Sequence, residues 1–178
     1  MDQSDTALLI LRLWLGAVMA AHGINHARNL DGTASWFASK GFRQARLNAL
    51  ASATAEIVIG VGLIVGMLTS MAAAGMVAIM VVAFGAIHRF AGFFVFARPD
   101  EGYEYVATLA VAAMTLAILG PGSVSVDSVI SLSGKLDGWL GLAIVAGGAL
   151  AGALQLATVW RRPVTGALAP ATTEETGS

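Results

Sequence analysis

This sequence predicts an all-α fold, a polytopic membrane bundle of five hydrophobic helices, and three observations carry that expectation. Hydrophobic residues make up 57% of the chain and charged ones 12%, with a mean hydropathy of +0.76, far from the balance of a soluble domain. The apolar residues gather into runs of about 20, the length a helix needs to cross roughly 30 Å of hydrocarbon. The breaks between runs collect glycine, proline, serine and most of the charge. A chain of 178 residues has room for one bundle and short loops, so any soluble catalytic partner is a separate chain.

The first run, 7–27, contains Arg12 and His22 and continues without a processing site, so it reads as a span and not as a cleavable signal. Runs 48–68 and 71–91 are separated only by Thr69 and Ser70, which requires a tight antiparallel hairpin. The fourth run, 103–119, ends at Gly120-Pro121-Gly122, where proline cannot continue the backbone ladder. A Ser-rich connection, 123–137, leads to the fifth run, 139–160, which Arg161-Arg162-Pro163 terminates. The bundle therefore occupies 1–160, and 161–178, rich in Thr, Ala, Gly and Glu, reads as a disordered cytoplasmic tail.

Positive charge sets the expected orientation, because Lys and Arg collect on the cytoplasmic side. Arg28, Lys40, Arg43 and Arg46 in the first loop, Arg89 and Arg98 in the third, and Arg161 and Arg162 all fall on one face, against Lys135 alone on the other. The expectation is the cytoplasmic membrane with the N-terminus outside and the C-terminus inside. In the first loop Trp36, Phe37, Phe42 and Leu47 alternate with basic residues, as in a segment lying along the lipid interface. The dispersed charge, net -1, gives no footprint for nucleic acid. The absence of cysteine excludes dithiol relays, thiolate metal sites and disulfides within the chain.

The informative residues are the ionisable ones, since a charge in hydrocarbon costs roughly 2.5–3.5 kcal/mol even on lenient insertion scales. Arg12, His22, Glu56, His88 and Glu104 lie in or at the ends of four spans. At about 1.5 Å per residue, His22 sits roughly 8 Å and Glu56 about 12 Å from the inner ends of their helices. His88 and Glu104 lie closer to that end, so a shared polar pocket opening toward the cytoplasm is expected. His22, Asn25, His26 and Asn29 fall at i, i+3, i+4 and i+7 and make one polar stripe. Glu104, Thr108, Val111 and Thr115 make a weaker one, and Gly60, one turn from Glu56, admits the close approach of a helix or flat ligand.

Each of these residues also has a purely structural reading. A histidine and glutamate on facing helices can form a buried pair that fixes bundle geometry. His26 and His88, near helix ends, can snorkel to the interface, and Arg12 can anchor the outer interface or pair with Asp5. Phe90, Phe93, Phe94 and Phe96 suit an aromatic belt. Gly148 and Gly152 form a GxxxG pair that serves either internal packing or a homo-oligomer.

Leu11-Arg12-Leu13 with Gly16, His22-Gly23, Ala55-Glu56 followed by Gly60 to Gly66, His88 with Gly92-Phe93-Phe94, Gly102-Tyr103-Glu104-Tyr105 and Gly120-Pro121-Gly122 form an ordered set. Over about residues 7–127 this set resembles the DoxX/DoxD-like membrane proteins. The resemblance implies a four-helix core in which Arg12, His22, Glu56, His88 and Glu104 occupy characteristic polar positions. It also implies a role as the membrane subunit of a thiosulfate:quinone oxidoreductase, or as the anchor of a redox-stress assembly with a superoxide dismutase and a sulfurtransferase-like protein. Two departures stand out: His26 replaces a lysine common four residues after the histidine, and a fifth helix and tail follow the core.

The leading expectation is a subunit of a redox or oxidative-stress complex that binds quinone in the inner pocket. His22 or His88 would bond a quinone carbonyl and Glu56 or Glu104 would move the proton. The ligand or proton-relay candidates are His22, His26, Glu56, His88, Glu104, Tyr105 and Arg12. No covalent cofactor is expected, and electrons would come from a soluble or membrane redox partner, since neither a dinucleotide fingerprint nor cluster cysteines are present. The alternatives are a non-catalytic anchor for soluble detoxifying enzymes, metal binding by His22, His26, Glu56, His88 and Glu104, and a small transporter. Lone ligands on separate helices are a weaker metal signal than a spaced motif.

Overall fold

In the computed structural model, which describes residues 2–97 and 100–163, the chain is all-helical. Its helices are α1 (Gln3–Arg28), α2 (Leu30–Ser39), α3 (Ala45–Val65), α4 (Thr69–Ala86), α5 (Glu104–Leu119), α6 (Val126–Val129) and α7 (Gly138–Val159), with a 3₁₀ turn at His88–Phe90. Among the described residues α1, α3, α4 and α7 are long and apolar enough to cross a membrane. The 16-residue α5 is shorter, but it runs between the same two ends of the bundle. Residues 164–178 of the expected tail, and Arg98 of the third loop, lie outside the described residues.

Helices α1, α3, α4 and α5 pack in a closed ring, α1 on α3, α3 on α4, α4 on α5 and α5 on α1, and α7 lies outside against α4 and α5. Leu15, Met19, Leu63, Met76, Leu109, Ala113 and Leu116 fill the ring's interior, and Val145 joins them from α7. Lipid solvates leucine as well as a neighbouring helix does, so close backbone approach carries much of the association. At the α1–α3 crossing, a Cβ on Gly16 would lie 2.7 Å from the Gly60 carbonyl oxygen, and one on Gly60 2.6 Å from the Ala20 nitrogen. The close neighbour of Gly60 is thus helix α1.

Gly148 and Gly152 are used the same way. A Cβ at either would come within 2.3 or 2.4 Å of the Ala74 or Ala78 carbonyl oxygen of α4. This corrects the homo-oligomer reading of the pair, because α4 of the same chain already occupies the close-approach surface.

The chain ends its helices by identifiable local chemistry. Asn29 separates α1 from α2, and its side chain accepts from the Gly32 N–H at 3.0 Å to cap the second helix. The expected interfacial loop is therefore helical, with Phe37 buried in a second cluster with Phe42, Ala49, Ala86 and Ile87 while Trp36 stays exposed. The hairpin turn lies at 66–68 and not at Thr69 and Ser70, since Gly66 closes α3 in the left-handed region at φ 68°. Leu68 shares that region at φ 51°, and the buried Asp127 caps the next helix, accepting from the Leu68 and Thr69 N–H groups at 2.7 and 2.8 Å. The expected third span stops at Ala86, and the chain turns through His88–Phe90 before its loop.

One end of the bundle, where the arginines gather, is knitted together across the chain. The Arg43 N–H bonds to the Val159 carbonyl at 2.8 Å and the Arg161 N–H to that of Gly41 at 3.0 Å. The Trp160 indole donates to the Lys40 carbonyl at 2.8 Å. Lys40 itself pairs with Asp100 at 2.6 Å, and Arg46 pairs with Asp31. The first three of these bonds tie α7 and the residues after it to the loop between α2 and α3.

Candidate functional site

Glu56, 4% exposed in the middle of α3, is the most buried carboxylate among the described residues of the basic half of the bundle. Ser52, one turn earlier on the same helix face, donates to its Oε1 at 2.7 Å. His26, near the end of α1, places Nδ1 3.1 Å from Oε2. The angles of that contact fall outside hydrogen-bond geometry, so both atoms are buried with an electrostatic partner but no well-aligned bond. An imidazole held against a carboxylate in this way can take up or release a proton with little rearrangement.

The His26 ring also lines a cavity of about 340 Å³ with Asn25, Asn29, Gly32, Thr33 and Trp36. That volume lies at the lower end of small-molecule sites. Its position follows from the break at Asn29, which bends the chain between α1 and α2. Thr33 Oγ donates to the His26 carbonyl at 3.1 Å and holds the two helices in this relation. Phe37 meets the His26 ring edge-on, with centroids 6.3 Å apart, which leaves the cavity with amide, hydroxyl and imidazole groups beside an indole.

The remaining sequence-derived candidates do not join this site. His22 donates through Nδ1 to the Val18 carbonyl at 3.0 Å and stacks on Tyr105 of α5 at 6.3 Å. His88 donates through Nδ1 to the Glu101 carbonyl at 2.6 Å. Glu104 accepts from the Val95 N–H at 3.1 Å and so orders the loop before α5. Thr108 and Thr115, which continue its stripe, bond back to the carbonyls of Glu104 and Val111 within the helix. The single pocket expected from His22, Glu56, His88 and Glu104 is therefore corrected to a His26–Glu56 site, with the other three engaged in separate contacts. Among the described residues no three His, Asp or Glu side chains converge to hold a metal ion.

Arg12 belongs to the opposite end. It is 1% exposed, donates to the Val124 carbonyl, and has Asp127 as its charge partner. Its guanidinium packs where a Cβ on Gly66 would stand, 1.6 Å from Nη1. The expected pairing with Asp5 is not formed, because that carboxylate accepts from the Ser123 N–H and hydroxyl at 2.8 and 2.5 Å. Arg12 thus ties α1 to the α5–α7 connection.

Ser52, Thr33 and Asp127 were not singled out from the sequence. The four-residue spacing of Ser52 from Glu56 was a legible signal. The contact from Thr33 depends on the bend at Asn29, and that of Asp127 joins residues 59 apart.

Fold and site together define a multi-pass helical membrane protein with one buried His–Glu pair beside a polar cavity. Residues 7–89 match the DoxX family model, and the chain is DoxX-like over that stretch, which holds the whole of the His26–Glu56 site. No curated protein and no solved structure matches it.

Proposed function

We propose that this DoxX-like protein binds the ring of a quinone in the cavity between α1 and α2 and supplies its protons through His26 and Glu56, as the membrane subunit of a redox complex. The observation that carries the reading is the buried, imperfectly bonded His26–Glu56 contact beside a cavity that combines Asn25, Asn29 and Thr33 with Trp36. A quinone ring needs donors at its two oxygens and a flat apolar surface. The isoprenoid tail needs an exit into lipid, and Trp36 is exposed at that edge.

Reduction of a quinone to quinol takes two electrons and two protons. The chain has no cysteine ligands, so the electrons come from a partner subunit, while the two protons pass one at a time from water through Glu56, which is reprotonated between the two transfers, to the imidazole and on to the ring oxygens. Ser52 keeps the carboxylate turned toward His26 in the meantime.

The test is equilibrium binding of a short-chain ubiquinone to the purified protein in detergent, beside His26→Ala, Glu56→Gln and Trp36→Leu variants whose helicity matches the parent. Saturable binding that weakens about tenfold or more in the variants, close to 1.4 kcal/mol, supports the reading. Binding that is unsaturable, or equal in parent and variants, reflects partition into the micelle and overturns it.

A further inference from the structure

The lipid-facing side of α7 carries a second groove, of about 440 Å³, with Ala153, Leu156 and Ala157 along it and Trp160, Arg161 and Arg162 at its head. We infer that this groove is a binding site for one anionic phospholipid, whose phosphate sits among Arg89, Arg161 and Arg162 and whose acyl chain lies along α7.

Several independent features fit that occupant. Helix α7 is apolar, and only 11% of its most apolar stretch is buried within the protein, so what fills a groove on its outer side in a bilayer is hydrocarbon. Alanines at 153 and 157 leave room there, while neighbouring Leu150 and Leu154 project, 72% and 66% exposed. At the head of the groove the Phe90 and Trp160 rings stack with centroids 6.3 Å apart. Arg89 lies over both, 4.6 Å from the Phe90 centroid and 5.5 Å from that of Trp160. Arg162 lies 4.6 Å from the Phe90 centroid. Arg161 turns one nitrogen back to the carbonyls of Ala157 and Trp160, at 3.0 and 2.8 Å, which fixes its head near the end of the helix.

The aromatic platform preorganises the guanidinium groups: among the described residues the ion pairs engage His26, Lys40 and Arg46, and none engages Arg89, Arg161 or Arg162. Planar donors at headgroup depth with an apolar trough beneath suit a phosphodiester in preference to an acidic peptide, which would leave the trough unfilled. A zwitterionic lipid would carry a cationic group into the same cluster.

The experiment is native mass spectrometry of the full chain after exchange into mixed phosphatidylglycerol and phosphatidylcholine, with inorganic phosphate as a second probe. The expected result is one retained phosphatidylglycerol per chain in preference to phosphatidylcholine. Retention should fall about tenfold in Arg89→Gln/Arg162→Gln, remain unchanged in Lys135→Gln, and not be displaced by millimolar phosphate. Ala153→Phe fills the trough about two turns away from the arginines and should also expel the lipid, so the inference remains testable if the double variant fails to fold. Equal retention of the two lipids, retention unaffected by both groove variants, or displacement by phosphate alone would overturn the site. So would binding of polyglutamate without lipid preference, which would make the patch a protein dock.

Discussion

Replacing Asp127 by alanine should loosen the end of the bundle at which α3 turns into α4. Its two carboxylate oxygens accept from the Leu68 and Thr69 N–H groups at 2.7 and 2.8 Å, donors that begin a helix and have no partner within it. Hydrogen bonds to a charged group contribute about 1.5–3 kcal/mol each, so losing both should cost about 3–6 kcal/mol. The upper end is favoured because the buried Arg12 loses its opposing charge. Asp127→Asn retains one acceptor but turns an amide N–H₂ toward the second donor, and should cost about half as much. The assay is unfolding in mixed micelles, titrated with sodium dodecyl sulfate and followed by circular dichroism. In a double-mutant cycle, Arg12→Met should lessen the effect of Asp127→Ala by about 1 kcal/mol or more, as expected of charges that share a site. An alanine variant within about 0.5 kcal/mol of the parent would refute the capping role, and strict additivity with Arg12→Met would refute the pairing.

Four further predictions concern the glycines of the bundle and the site. Gly60→Val should destabilise by about 2–3 kcal/mol, because its branches meet the α1 backbone 2.6 Å away and the helices must separate. Gly147→Ala, with nothing within 4 Å of its added carbon, should lie within about 0.5 kcal/mol of the parent in the same titration. Gly66→Ala combines a positive φ of 68° with a collision at Arg12, and should lower the thermal unfolding midpoint in detergent more than any alanine placed on the lipid face. Ser52→Ala removes the 2.7 Å bond to Glu56 and should cost about 1 kcal/mol. It should also shift the Glu56 carboxyl stretch in infrared difference spectra, a change that an unperturbed spectrum would exclude.

The fold was legible because hydrocarbon imposes few options on a backbone. Polar peptide groups must be satisfied within each segment, so a run of about 20 apolar residues is a helix whatever it packs against. Gly120-Pro121-Gly122 and Arg161-Arg162-Pro163 marked helix ends by local chemistry alone. The α2 helix was harder to see, since its ten residues carry an interfacial composition that suits a loop as well as a helix. The hairpin turn was misplaced by a few residues because the helix cap at Leu68 and Thr69 comes from Asp127, far along the chain.

The site was legible as residue types and not as partnerships. Helical spacing put His22 and His26 on one stripe, and four residues along a helix turn a side chain by about 40°. Rotation of α1 about its axis, set by Gly16 and Gly60 at the crossing with α3, carries His26 to Glu56 and His22 to Tyr105. By itself the sequence determined a membrane-embedded helical bundle, its polar inventory and the concentration of positive charge at one end, since these depend on composition and local periodicity. Only the tertiary structure decided which histidine meets the buried glutamate, that α4 takes up the glycines of α7, and that Arg89 and Arg162 share one aromatic platform. Those outcomes depend on helix rotation and on contacts between distant segments, and no local pattern encodes either.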